Sequence, residues 1–209
     1  DKIHQYGQNS FRLYKLPTPK KGSVIGLLGR NGMGKTTIVN ILSGSIKPNI
    51  GSYENEPNWE DILKFFQGTE LKSHFEKVSN NNIKASIKPQ KVYLIPKVFN
   101  GTTRELLEKH DERNTVTELT EQLGLKNSLE KNVNELSGGE LQKLSIMSCL
   151  SMDADIFALD EPSAFIDIED RIMLGIGLIN NYLYKKKEID WKNSEWDNEQ
   201  INKTRVIDI

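Results

Sequence analysis

The sequence contains a single cysteine, Cys149, among its 209 residues. One thiol cannot form a disulfide within the chain, nor can it supply an iron–sulfur cluster or a cysteine-rich zinc site. The sequence also contains no apolar run of about 18 residues, the length that a membrane-spanning helix requires, and its first residues lack the apolar segment of a signal peptide. These absences favour an intracellular protein in the cytoplasm.

Excess charge of one sign is missing as well. The 28 lysine and arginine residues nearly balance the 29 aspartate and glutamate residues, so the net charge is -1. Bulk charge therefore gives no reason to expect a nucleic-acid partner, and binding to RNA would depend on a local basic patch. What is present is an ordinary globular composition, with 36% hydrophobic residues, and strands that alternate with helices, which predicts an α/β fold.

The segment LLGRNGMGKTT, residues 27–37, contains the pattern G-x-x-x-x-G-K-[ST]. Residues 24–29 before it are apolar and end in glycine, which predicts a buried strand, and a helix is predicted from about Lys35. The alternative is a plain glycine turn before a helix. A strand, a glycine-rich turn and a helix in this order favour a nucleotide phosphate site.

Each part of this loop has a chemical role. Gly32 and Gly34 let the backbone fold so that its N–H groups point at phosphate oxygens, and the positive end of the following helix adds to the attraction. Lys35 would reach the β- and γ-phosphates of ATP, and the Thr36 hydroxyl would bind Mg²⁺. The loop residues predicted to bind ATP are Gly29, Arg30, Asn31, Gly32, Met33, Gly34, Lys35, Thr36 and Thr37.

A second acidic motif follows further along the chain, in DIFALDEP, residues 155–162. The apolar run predicts a buried strand that ends at Asp160, whose carboxylate would lie beside Mg²⁺. Glu161, the next residue, is a candidate general base for the attacking water. A strand end with two solvated acids is the alternative, and the phosphate loop upstream favours the functional interpretation.

The stretch NELSGGELQ contains a glycine pair, Gly138 and Gly139, directly after Ser137. Ser137 and Glu140 have the spacing of a capping box at a helix start, and such a start also binds anions. Capping alone would not require two glycines, and one domain needs one phosphate loop for each nucleotide. We therefore expect this segment to hold the γ-phosphate of a nucleotide bound to another copy of the domain.

With these motifs in this order, the chain resembles the nucleotide-binding domain of an ABC ATPase. The resemblance implies a P-loop α/β fold with a mainly parallel core sheet, an antiparallel β portion and a helical subdomain at about residues 98–150. Gln90, in IKPQKV, is similar to the Q-loop glutamine, which contacts Mg²⁺ and the attacking water. Asp167, at the end of PSAFID, is similar to the D-loop residue that crosses the dimer interface. The catalytic residues are then Glu161, Lys35 and Gln90, and the Mg²⁺ ligands are Thr36, Gln90 and Asp160.

The segments YGQNSF, PNWEDILKFFQGTEL and IKPQKVYLIPK are similar to the first nucleotide-binding domain of the RNase L inhibitor family, subfamily E of the ABC proteins. This resemblance implies a protein without a membrane domain that splits ribosomes after termination. Its partners would be ATP, a second nucleotide-binding domain, ribosomal subunits and termination factors. In the family an aromatic ring stacks on adenine; Tyr6 and Phe11 are the candidates, of which Phe11 is favoured, and one of the two alternatively belongs to the core.

The chain also departs from this family pattern. One cysteine cannot supply the family's iron–sulfur domain, and 209 residues leave no room for a second nucleotide-binding domain. The three histidines, His4, His74 and His110, all precede Ser137, so the histidine that follows the D-loop in ABC domains is missing. We therefore expect residues 1–209 to be one domain of a longer protein, with a polar insertion or disordered loop at 185–203.

Such a fragment is expected to bind Mg·ATP and to hydrolyse it poorly alone. Two other interpretations stay open at this stage. One is the ATPase subunit of a membrane transporter, which the PNWEDILKFFQGTEL segment disfavours. The other is an interaction module that does not hydrolyse ATP.

Overall fold

The computed structural model describes residues 1–20 and 23–171. The predicted insertion at 185–203 and the end of the chain lie outside the described residues. Within the described ranges, no helix has both the length and the apolar character needed to cross a membrane. In chain order the described elements are β1 (His4–Gln5), β2 (Arg12–Leu13), α1 (Lys35–Leu42), α2 (Trp59–Phe65), α3 (Glu70–Ser79), β3 (Ala85–Lys88), α4 (Ile95–Val98), α5 (Thr103–His110), α6 (Val116–Gln122), α7 (Gly138–Ser151) and β4 (Ile156–Leu159), with 3₁₀ turns at Val92–Leu94, Lys126–Ser128 and Val133–Glu135.

Two pairs of strands are formed by the described residues. β1 and β2 pair antiparallel, with His4 opposite Leu13. β3 and β4 pair parallel, with Lys88 opposite Leu159. Because the carboxyl ends of parallel strands lie at the same edge, the residues after β3 and those after β4 are brought together there. This pairing delivers the Gln90 and Asp160 segments to one place.

Two hydrophobic clusters lie beneath these elements. The first packs α1 against the α2–α3 pair and the N-terminal strands, and its buried members are Ile3, Leu13, Ile41, Leu42, Ile62, Phe66, Leu71 and Phe75. The second is built around α7, which packs on α5, α6 and β3. Side chains of α7 are buried along nearly its whole length, so the helix that begins at the glycine pair is the central element of this cluster.

The sequence predicts a strand at residues 24–29 and another in KVYLI, residues 91–95, which Pro96 would close. Both predictions are wrong. Residues 24–29 form no strand among the described residues, and Val24 and Leu28 are 50% and 74% exposed. Residues 91–95 form a 3₁₀ turn that runs into α4 instead of a strand. Pro96 lies in the first turn of α4, where its fixed φ suits a helix and its missing N–H costs nothing. An apolar run this short does not distinguish strand from helix, and the proline was the better signal.

The other predicted elements near the site are confirmed. The helix after the glycine-rich loop is α1, and the strand before the acidic pair is β4. Asn58 caps α2, since its side chain accepts a hydrogen bond from the Asp61 N–H at 2.8 Å. Thr69 occupies the corresponding position before α3 without a capping bond, because its hydroxyl donates instead to the Phe66 carbonyl at 2.7 Å.

Candidate active site

The glycine-rich loop before α1 has the backbone conformation that the sequence pattern requires. Gly32 and Gly34 have φ angles of 82° and 86°, in the left-handed region that other residues avoid. The two glycines differ in their surroundings. A β-carbon on Gly34 would overlap the ring of Phe11, whereas one on Gly32 would meet nothing within 4 Å. The loop is therefore closed by an aromatic side chain on one side and open on the other.

The Lys35 ammonium lies over this loop. It donates hydrogen bonds to the carbonyls of Gly29 at 2.7 Å and of Arg30 at 3.4 Å. The side chain is only partly buried, so the ammonium can exchange these carbonyls for phosphate oxygens at small cost. A phosphate oxygen carries negative charge and a carbonyl oxygen does not, so the ammonium is attracted more strongly to phosphate.

Thr36 and Asp160 meet at the edge of the β3–β4 pair. The Thr36 hydroxyl donates to Asp160 Oδ2 at 2.8 Å. Asp160 is 4% exposed, and its Oδ1 atom is buried without a hydrogen-bond partner among the described residues. An unpartnered carboxylate oxygen beside a hydroxyl is an oxygen-rich donor set of the kind that Mg²⁺ prefers, so the residues present fit this ion.

A cleft of about 410 Å³ brings most of the predicted nucleotide residues together. Gln90 and Glu161, which follow β3 and β4, line this cleft together with residues of the glycine-rich loop. Gly29, Arg30 and Met33 lie beside the cleft without lining it. The lining residues are Tyr6, Phe11, Asn31, Gly32, Gly34, Lys35, Thr36, Thr37, Gln90 and Glu161.

The two candidate adenine-stacking residues both line the cleft but differ in environment. Tyr6 is 54% exposed, and its hydroxyl lies 3.1 Å from the Thr37 hydroxyl. Phe11 is partly buried, packs against the cluster under α1 and contacts Gly34. The more exposed ring is freer to meet a base, whereas the Phe11 ring already has packing partners. Which ring stacks on adenine stays a prediction.

Glu161 sits on a strained turn that two buried side chains support. Its φ is 47°, a left-handed conformation that costs a residue with a β-carbon roughly 1 to 2 kcal/mol. Gln142 Nε2 donates to the carbonyls of Glu161 at 2.7 Å and of Pro162 at 3.1 Å. Gln142 Oε1 in turn lies 3.5 Å from the Lys88 ammonium, which also donates to the Pro89 carbonyl at 3.0 Å.

Lys88 and Gln142 were not among the residues predicted from the sequence. Both are 1% exposed. Burial lowers the pKa of Lys88, and the negative charge of Asp160 acts in the opposite direction. The lysine of IKPQ, at the end of the short strand β3, is the one signal that could have drawn attention to it, since buried lysines need partners.

The glycine pair forms the start of α7. Ser137 and Glu140 form the predicted capping box: the Glu140 N–H donates to Ser137 Oγ at 3.2 Å, and the Ser137 N–H donates to Glu140 Oε2 at 2.8 Å. Among the described residues, neither these two nor Gly138 and Gly139 line the cleft.

The second glycine of this pair has a packing reason that the capping box does not supply. A β-carbon on Gly139 would lie 2.9 Å from the carbonyl oxygen of Phe165, closer than real contacts allow. Phe165 belongs to the segment predicted as the D-loop, has a φ of 62° and is 77% exposed. Asp167 follows it in the same exposed segment. Glycine at 139 therefore lets the two segments touch through their backbones.

Glu140 holds more partners than a cap requires. Its carboxylate accepts hydrogen bonds from the Ser128 hydroxyl at 2.5 Å, from the Lys131 ammonium at 2.9 Å and from the Ser137 N–H at 2.8 Å. These bonds, the one from Ser128 foremost, lower the pKa of Glu140 to about 2. The carboxylate therefore stays ionised and fixed at neutral pH.

Replacing Glu140 by glutamine keeps a capping acceptor but removes the charge, and it should lower the free energy of unfolding at neutral pH by about 1 kcal/mol, because hydrogen bonds to charged groups are stronger than neutral ones by about that amount. Because the pKa of about 2 lies below the ordinary value of 4.5, the stabilisation is fully present above the ordinary value and is lost as the pH falls towards the lower one. Denaturant unfolding of both proteins, at neutral and at strongly acidic pH, measures this. A stability difference that does not shrink in acid would show that the charge contributes nothing.

Comparison with known proteins agrees with this geometry. The family model described as ABC transporter matches residues 18–164. Protein Pixie of Drosophila melanogaster is 46% identical over 169 residues, which cover 81% of this chain and 28% of Pixie. The structure titled RNase-L Inhibitor is 42% identical with a TM-score of 0.78, and the match covers 84% of this chain and 34% of that one.

A further structure is similar to the same extent. It is a complex of the archaeal ribosomal stalk protein aP1 with the archaeal ribosome recycling factor aABCE1, at 42% identity and a TM-score of 0.77, covering 84% of this chain and 34% of that one. The chain thus spans about a third of the length of these relatives or less. Since the family match extends over most of the chain and includes the glycine-rich loop, the glycine pair and the acidic strand, this protein belongs to the ABC transporter family and has its ATP-binding P-loop fold.

Proposed function

We propose that the chain is one ATP-binding and ATP-hydrolysing domain of a ribosome-recycling ABC protein. The observation that carries the proposal is the cleft, in which the glycine-rich loop, Gln90 and Glu161 face one another, while Ser137 and the glycine pair lie elsewhere. One domain therefore offers two separate half-sites for phosphate. A second domain facing this one would complete both.

The residues of the cleft divide the work on ATP. The loop N–H groups and Lys35 bind the β- and γ-phosphates, and Thr36, Gln90 and Asp160 are the proposed oxygen ligands for Mg²⁺. When bound, Mg²⁺ neutralises phosphate charge. Asp160 suits this role because one of its carboxylate oxygens is buried and unpartnered among the described residues.

Glu161 is the proposed general base. Its carboxylate would accept a proton from the water that attacks the γ-phosphate, and Gln90 would orient that water. Both residues line the same cleft as Lys35, which supports the assignment. The breaking bond is the one between the γ-phosphorus and the oxygen that bridges to the β-phosphate.

Closure against a second domain is the proposed working step. Ser137, Gly138 and Gly139 would donate hydrogen bonds to the γ-phosphate of ATP on that domain, and Asp167 would lie at the shared interface. ATP would favour the closed pair by contacting both halves, and hydrolysis would remove that bridge. In this proposal residues 1–209 are one domain of the protein, with residues 98–150 as its helical part.

The ribosomal part of the proposal rests on the similarity to the archaeal ribosome recycling factor, which is described in complex with a ribosomal stalk protein. In this proposal the protein works in the cytoplasm, with ribosomal subunits and termination factors as partners. The test is a co-sedimentation assay. The chain and Mg·ATP are mixed either with purified ribosomal subunits or with membrane vesicles from the same cells, and the chain that pellets with each is measured. Binding to the vesicles and not to the subunits would favour a transporter ATPase instead.

The isolated chain should bind Mg·ATP and hydrolyse it slowly, because half of each composite site is supplied by another domain. Adding the second domain should raise turnover by a hundredfold or more, the range typical for a missing group that stabilises the transferred phosphoryl. Steady-state phosphate release with and without the added domain measures this. Full turnover by the chain alone would contradict a composite site.

A further inference from the structure

Three segments with roles in the proposed site meet at two buried side chains. Lys88 ends β3, two residues before Gln90; Gln142 lies in the first half of α7; and the carbonyls of Glu161 and Pro162 follow β4. We call these two side chains and two carbonyls the Lys88–Gln142 network. Gln142 bonds to both carbonyls through one amide nitrogen, at 2.7 and 3.1 Å, and its amide oxygen faces the Lys88 ammonium at 3.5 Å.

The network acts on backbone that would not hold this shape unaided. Glu161 has a φ of 47°, and a residue other than glycine keeps that conformation when its surroundings impose it. The Glu161 carbonyl accepts the shorter of the two Gln142 bonds, at 2.7 Å, beside a longer one from the Ala164 N–H at 3.3 Å. Asp160 is the residue before it, so the orientation of the Asp160 carboxylate depends on the same turn.

The position of Lys88 gives the network its direction. Gln142 could in principle place either its oxygen or its nitrogen towards the carbonyls, since the two ends have the same shape. The Lys88 ammonium can only donate hydrogen bonds and the two carbonyls can only accept them, so both ends select the same orientation, with the amide oxygen towards Lys88 and the nitrogen towards Glu161 and Pro162. The lysine is 1% exposed, which leaves it few other partners.

From this arrangement we infer that Gln142, oriented by Lys88, is a positioning residue for the metal-binding and catalytic carboxylates of Asp160 and Glu161. The inference rests on the proposed function, because it concerns how that site holds Mg·ATP. It also links the helix that begins at the glycine pair to the turn beside the cleft. Gln142 does not line the cleft and has no direct contact with substrate in this role.

The test compares how strongly Mg²⁺ enhances ATP binding in the 209-residue chain and in Gln142→Met. Calorimetric titration gives the ATP dissociation constant with Mg²⁺ and with EDTA. The constant in EDTA divided by the constant in Mg²⁺ is the ratio that isolates the carboxylate contribution. In Gln142→Met the ratio should fall roughly tenfold, the effect typical of losing a partner of a metal ligand, while binding in EDTA stays near the wild-type value. A merely structural role would raise both dissociation constants together and leave their ratio unchanged.

Ser145→Ala is the matched control, since Ser145 lies one turn further along α7, is 2% exposed and has no hydrogen-bond partner among the described residues. This variant should keep the wild-type ratio. Equal losses in Ser145→Ala and Gln142→Met would overturn the inference. If Gln142→Met does not fold, Gln142→Glu keeps an acceptor for Lys88, removes the two donated bonds and should show the same lowered ratio.

A glycine background tests the strain argument directly. Glycine adopts the left-handed conformation freely, so in a Glu161→Gly chain the further change Gln142→Met should lower the ratio less than threefold. An undiminished tenfold loss there would refute a positioning role through Glu161. The proposed function fails separately: a wild-type chain that binds no ATP in either condition would contradict that proposal, whereas a wild-type ratio retained in Gln142→Met contradicts the inference alone.

Discussion

Replacing Lys35 by alanine will weaken ATP binding about a hundredfold or more. In the proposed site the lysine would donate charge-assisted hydrogen bonds to two phosphates, and each such bond contributes roughly 1.5 to 3 kcal/mol. Two of them correspond to a hundredfold or more in affinity, since about 1.4 kcal/mol equals a factor of ten. Titration of the purified chain with Mg·ATP measures the loss directly.

The fold should survive this substitution. The bonds that Lys35 makes in the structure go to partly exposed loop carbonyls, and exposed bonds of this kind contribute little to stability. Lys109→Ala is the matched control, because Lys109 is exposed on α5 and has no place in the cleft. Undiminished binding in Lys35→Ala, with the melting temperature unchanged, would remove the basis of the proposed nucleotide site.

Replacing Gly34 by alanine will damage the site in a second, independent way. The left-handed φ costs roughly 1 to 2 kcal/mol for any residue with a β-carbon. The added β-carbon also overlaps the Phe11 ring, and overpacking of this kind costs about 1 to 3 kcal/mol more. We therefore expect a total loss of about 2 to 5 kcal/mol in the free energy of unfolding and a large fall in ATP affinity.

Gly32→Ala separates the two causes. Its φ of 82° brings the same strain, while its β-carbon would meet nothing within 4 Å, so the loss should be limited to the strain of about 1 to 2 kcal/mol. Gly34→Ala should also cost less in a Phe11→Ala background than in the wild type, because the ring that causes the overlap is gone. Denaturant unfolding of Gly32→Ala, Gly34→Ala, Phe11→Ala and the Phe11→Ala/Gly34→Ala pair measures this. Equal losses at positions 32 and 34 would rule out the Phe11 contact.

Local chemistry in the sequence predicts the motifs of this site well. The glycine-rich loop, the acidic strand end and the capping box each depend on residues close together in the chain, so spacing and residue type suffice to identify them. The structure then shows Thr36 bonded to Asp160 across more than a hundred positions of sequence. That bond brings the start of α1 to the end of β4, an arrangement that the motif order only implied.

Contacts between distant segments account for what the sequence did not reveal. The strand predicted at 24–29 depends on neighbours that would cover it, and the described residues leave Val24 and Leu28 exposed. The Lys88–Gln142 network likewise depends on tertiary contacts: a lysine in a short strand points to Lys88, but nothing in the sequence points to Gln142 as its partner. The sequence predicts a phosphate-binding role for the glycine pair, whereas the packing of Gly139 against Phe165 depends on a contact between segments that are distant in the chain.

The absence of a β-carbon at position 139 couples the start of α7 to the exposed segment that contains Phe165. The first turn of α7 packs closely against the peptide of Phe165, so a displacement of one segment would act on the other. A neighbouring molecule that contacts the exposed Phe165 would therefore also affect the position of Ser137 at the start of the helix. Any side chain at 139, however small, would separate the start of α7 from the Phe165 segment, and each of the two would then respond to a neighbour separately.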